Sequence, residues 1–268
     1  MTLWALEIEY DGTPFMGWQR QKHGLAIQQV VEEAATRLRG GGEVREAVSA
    51  GRTDAGVHAT GQIVQVDLPD LTPFRIREAM NFHLKPHPIV VLRCCIAPQG
   101  WHARFAATGR AYRYIISNRA TPPALEARRV WHVRQPLDAD AMHDAAQSLL
   151  GHHDFSSFRA SACQAKSPMR TLDALNVRRL GEKIIIEARA RSFLHHQVRN
   201  MVGSLMKVGE GRWPRARLAE VLAAKSRARA GMTAPAEGLY FTQVEYDPPL
   251  PLECDDIRLA RFAGQSDV

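Results

Sequence analysis

Apolar positions along the chain follow two spacings. Residues 3–10 alternate in character, the period of a half-buried strand, and stop at Asp11-Gly12. Ile27, Val31, Ala34 and Leu38 then share one helical face, which Gly40-Gly41-Gly42 brings to an end. Residues 43–50 and 61–68 read as strands, 72–82 as a helix and 89–96 as an apolar strand. The opening third therefore runs β-α-β-β-α-β.

A similar order follows. Residues 108–118 read as a strand. Asp138 is placed to cap a helix whose apolar stripe is Met142, Ala145, Leu149 and Leu150. Residues 171–179 and 183–190 form a hairpin pattern across Leu180-Gly181-Glu182. Helices are predicted over 194–208 and 215–224, and a strand over 239–246. Two such runs predict an α+β protein. Two ferredoxin-like halves, residues 1–105 and 106–268, would share a mainly antiparallel sheet with a cleft between them. No Pro- or Ser-rich linker separates the halves. Residues 263–268 read as a frayed tail.

Composition narrows the class. The 268 residues are 45% hydrophobic and 24% charged, the mix of a folded globular chain. A formal net charge of +7 permits an acidic partner, nucleic acid being the commonest. Cys94, Cys95, Cys163 and Cys254 form no CxxC pair and point to reduced thiols in a cytoplasmic protein. The N-terminus lacks the pattern of a signal peptide, and the apolar runs are too short to span a membrane.

The candidate chemistry lies in one loop, Gly51-Arg52-Thr53-Asp54-Ala55-Gly56-Val57-His58-Ala59. Gly51 and Gly56 permit tight backbone geometry. Arg52 either pairs with Asp54 or holds a phosphate beside it. A nearby arginine favours the ionised carboxylate that a nucleophile requires. Metal hydrolysis has little support. There is no HExxH or CxxC, and adjacent histidines such as His152-His153 and His195-His196 are not expected to face one ion. P-loop, GxGxxG and GxSxG signatures are also absent.

The same loop, continuing into Gly61-Gln62, resembles the signature of the tRNA pseudouridine synthase A family. The resemblance extends through Tyr10-Asp11-Gly12, Gly17-Trp18-Gln19-Arg20-Gln21, His102-Ala103-Arg104-Phe105 and Arg110-Ala111-Tyr112-Arg113-Tyr114. It continues in residues 154–159, in 193–200 (FLHHQVRN) and in Glu237-Gly238-Leu239-Tyr240. Departures are small: Trp101 stands where Phe is common, and Met16 replaces a commoner aromatic or polar residue.

The resemblance implies that Asp54 is the catalytic aspartate, that Tyr112 stacks on the target base, and that Arg52 and Arg199 line the site. Arg199 would pair with the aspartate, and Leu239 would wall the pocket. It implies a homodimer that needs no cofactor or metal and isomerises uridines 38, 39 and 40 of the tRNA anticodon stem-loop. Arg104, Arg110, Phe158, Arg159 and His58 are further candidates for RNA contact, because arginine forks suit phosphates and aromatic rings suit bases. The competing reading is a non-catalytic tRNA-binding or chaperone protein.

Overall fold

The computed structural model describes residues 1–43 and 45–252. In chain order its elements are β1 (Thr2–Tyr10), α1 (Ile27–Leu38), β2 (Val48–Ser49), β3 (His58–Leu68), α2 (Pro73–Leu84) and β4 (Ile89–Ile96). There follow β5 (Ala107–Ser117), β6 (Trp131–His132), α3 (Ala139–Gln147), β7 (Gly151–Asp154) and β8 (Met169–Leu180). The last are β9 (Lys183–Ala190), α4 (Gln197–Gly209), α5 (Arg217–Ala223) and β10 (Leu239–Tyr246).

One sheet takes the order β4-β1-β3-β10-β5-β9-β8-β7, with β2 beside β3 and β6 beside β5. The run β10-β5-β9-β8 has the strand order of a ferredoxin-like unit, and β4-β1-β3 repeats most of that order in the first half. Pairing is antiparallel except for β5 with β6 and for the join between the halves. At that join β10 runs parallel to β3, Tyr240 opposite His58 and Phe241 opposite Ala59.

Helices cover one face of each half. Trp4, Leu6, Ile8, Val64 and Val91 pack against Val30, Val31 and Met80 of α1 and α2. Tyr114, Ile116, Val177, Ile184 and Ile186 pack against Met142, Val202 and Leu205 of α3 and α4. Leu239 and Phe241, two apart on β10 and therefore on the same face, join the second and the first of these cores respectively. Asp138 caps α3 as expected, its carboxylate accepting from Ala141 N at 2.9 Å.

The strand expected over 43–50 shrinks to Val48–Ser49. The reason lies in α1, whose buried Gln28 and Glu32 replace the sheet ladder. Gln28 Nε2 donates to Ala47 O at 3.1 Å and Ala47 N donates to Glu32 Oε1 at 3.0 Å. The helix expected from 194 starts instead at Gln197, because His196 adopts a left-handed backbone, φ 61°. Cys254 and the expected tail 263–268 lie outside the described residues. Among the described residues, no helix is long and apolar enough to cross a membrane.

Candidate active site

Residues 50–57 lead into β3 and lie against the N-terminus of α4, so the two halves meet at Asp54. Three groups of the second half face its carboxylate. Arg199 Nη1 donates to Oδ2 at 2.9 Å, His196 Nε2 lies 3.2 Å from Oδ2, and His195 Nε2 lies 3.3 Å from Oδ1. Burial pushes the Asp54 pKa up, but the hydrogen bonds and charges of His196 and Arg199 outweigh it and hold the carboxyl below its usual value. The first turn of a helix also favours an anion. Asp54 is thus ionised at neutral pH and still a quarter exposed, at 25% of its side-chain surface.

Arg199 is itself fixed. Its Nε donates to Ala234 O at 2.8 Å, and its own carbonyl accepts from Ala234 N at 3.1 Å. The segment behind it is tied down by a polar cluster. Buried Asn200 donates to Phe158 O at 2.8 Å and accepts from Thr233 Oγ1 at 2.7 Å and Arg227 Nη2 at 3.1 Å. Arg227 is therefore half-buried and structural.

The Asp54 loop is held from the other side by the first half. Tyr10 Oη and Thr53 Oγ1 share a hydrogen bond of 2.8 Å, Trp18 N donates to Thr53 O at 3.0 Å, and Gln62 Nε2 donates to Gly51 O at 2.7 Å. Contact is close enough to require glycine. A Cβ on Gly12 would lie 2.0 Å from Val57 O, and one on Gly17, at φ +89°, would lie 2.6 Å from Thr53 O. Gly12→Ala is expected to cost about 2 kcal/mol or more and to lower the melting temperature by roughly 5 °C, which calorimetry would read.

The other predicted residues divide. Tyr112 is half-buried beside Asp54, its ring meeting Phe193 and Phe241 edge-on at 5.2 and 4.8 Å. Burial, and then the Asp54 charge, push its hydroxyl far above the usual phenol value, so it stays protonated. Leu239 is buried at the start of β10. Arg52 is exposed and has no ion pair among the described residues; the partner of Asp54 is Arg199. Arg104 is also exposed.

The remaining candidates for RNA contact are corrected by burial. Arg110 spends its guanidinium on main-chain oxygens, donating to Ala50 O at 3.0 and 2.8 Å, to Arg104 O at 2.7 Å and to Arg191 O. It splints the Asp54 loop and has no fork left for a phosphate. Arg159 is half-buried and donates from Nη2 to Cys163 O and Ala165 O. Phe158 is fully buried and offers no face to a base. Phe15, Trp18 and Phe155 are packed as well.

His58 is buried against Tyr240, ring centroids 4.8 Å apart. Its Nδ1 accepts from Gly12 N at 3.0 Å, so Nε2 carries the proton toward Arg128 O at 3.1 Å. Burial lowers its pKa, which keeps the ring neutral in this bridging role.

The convergence of His195 and His196 was not expected from the sequence. Adjacent side chains normally diverge, but the left-handed backbone at His196 turns both Nε2 atoms onto one carboxylate. The pair stood in the sequence as a motif, but nothing in it announced the backbone reversal.

Comparison with known proteins identifies the family. The family model described as tRNA pseudouridine synthase matches residues 7–106 and 145–247. A tRNA pseudouridine synthase A of Acidiphilium cryptum is 61% identical over 254 residues, covering 94% of this chain and 99% of the relative. That of Rhodospirillum centenum is 58% identical, covering 92% and 100%, and that of Gluconobacter oxydans is 54% identical, covering 91% and 89%. Both matches run through the Asp54 loop and the Arg199 helix, and the chain belongs to the tRNA pseudouridine synthase family.

Proposed function

We propose that the chain isomerises uridine to pseudouridine at positions 38, 39 and 40 of the tRNA anticodon stem-loop, with Asp54 as nucleophile and no cofactor. The observation that carries this reading is an ionised, partly exposed Asp54 locked between the halves by Arg199. The reaction breaks the N1–C1′ bond and forms C5–C1′; the hydrogen leaves C5 and N1 gains one, so nothing is added overall. A carboxylate beside C1′ and C6 serves it by attacking either carbon or by assisting removal of a ribose proton. The base has to leave its stack to be reached. The Tyr112 ring and Leu239 supply an aromatic face and an apolar wall for it, and exposed Arg52 and Arg104 supply cations for the backbone. The protein acts in the cytoplasm as a homodimer.

Purified protein, a tRNA transcript and EDTA suffice for the test, with pseudouridine mapped by position. Pseudouridine confined to the anticodon stem-loop supports the proposal. Tight tRNA binding with no pseudouridine at all would leave the chaperone reading in its place. Tyr112→Phe is expected to keep turnover within about threefold, because the stacking ring remains; a complete loss in the same assay would assign chemistry to the hydroxyl. Binding of tRNA is expected to weaken by about a hundredfold or more between 50 and 200 mM salt, since phosphate contacts release counterions. A salt titration of affinity that came out flat would argue against a basic RNA surface.

A further inference from the structure

We propose that Asp54, His195 and His196 form a binding site for a zinc-class divalent metal ion, and that the bound ion inhibits the enzyme. The inhibition rests on the catalytic reading of Asp54; the binding does not. One carboxylate oxygen and the two imidazole nitrogens lie within 4.8 Å of one another. Ligands sharing a zinc ion at bonds of about 2.0–2.2 Å sit roughly 3 Å apart. His195 Nε2 lies 3.3 Å from Oδ1 and His196 Nε2 3.2 Å from Oδ2, so each ring stands near that spacing from one oxygen of the same carboxylate.

The donor chemistry selects the ion. Two imidazoles and a carboxylate suit zinc, cobalt or nickel, whereas magnesium and calcium prefer oxygen. The site is also reachable, with side-chain exposures of 25% for Asp54, 41% for His195 and 27% for His196. The left-handed turn at His196, the residue just before α4, aims both rings at the carboxylate before any ion arrives.

Arg199 opposes the ion. It is anchored by Ala234 O and donates to Oδ2, so an entering cation takes the Oδ1 side and meets its repulsion. This makes the ion a reversible occupant. Once there, it takes the carboxylate that the reaction needs, and a bound tRNA excludes it.

The test uses the full chain, stripped with chelator and dialysed. Zinc is titrated against a chromophoric chelator, and cobalt is followed by its visible absorption. We expect one ion per chain, unaffected by magnesium. His195→Ala and His196→Ala should each weaken binding by at least about tenfold, and the milder His195→Gln should do the same. Pseudouridine formation should fall as the site fills and return with EDTA. Binding that survives all the histidine variants, or that disappears with Cys163→Ser, overturns the site. Full turnover with the ion bound overturns the inhibition. Should the wild type make no pseudouridine, the titration still reads the site, so the two proposals fail separately.

Discussion

Asp54→Asn is expected to lower pseudouridine formation by at least about a thousandfold while tRNA affinity falls only slightly. Asparagine has nearly the same shape, and its amide oxygen still accepts from Arg199. The loop is held by Tyr10, Trp18 and Gln62 through groups other than the carboxylate, so its conformation should persist. What disappears is the anion. Single-turnover rates and filter-binding affinities measured on the same preparations separate the two effects. Near-normal turnover would remove Asp54 from the chemistry.

Arg199→Met should have the second largest effect, and through a different route. Methionine keeps the length of the stem but leaves Asp54 without its guanidinium. Breaking this partly buried pair is expected to cost about 1–3 kcal/mol, less than a fully buried pair because the carboxylate keeps some water. The Asp54 pKa is depressed in the folded protein. Its stabilising contribution is therefore present above the unfolded carboxylate value and is lost as pH falls through the folded value. Without Arg199 the carboxyl should titrate higher, so the acid limb of the pH–rate profile should move upward. Arg199→Lys should restore little, because one ammonium replaces the fork that reaches both Ala234 O and Asp54. An unshifted acid limb in Arg199→Met would show that the guanidinium does not set the charge of Asp54.

Much of the fold was legible in the sequence because most elements are amphipathic and carry their own end signals. Asp138 capped its helix where expected, and the hairpin of β8 and β9 turned at Gly181-Glu182. The shortness of strand β2 was not legible, since Gln28 and Glu32 read as ordinary polar positions although their side chains bond the neighbouring segment's backbone. In the site, the Asp54 loop stood out by its resemblance to the family's signature run. The roles of Arg110, His58 and Phe158 did not, because residue type does not tell whether an arginine bonds a phosphate or a carbonyl, or whether a ring faces a base or a core. The pairing of Asp54 with Arg199 spans 145 residues, so spacing alone does not announce it; it was legible only through the family resemblance.

The parallel join of β3 and β10 also sets a schedule for synthesis. The Asp54 loop leaves the ribosome early, the Arg199 helix much later, and β10 after both. Until residues 239–246 have emerged, β3 and β5 lack the strand that lies between them, and such open edges invite wrong pairing. Contacts this distant in sequence also form slowly. A nascent chain therefore carries the Asp54 loop long before Arg199 and β10 are present to hold it.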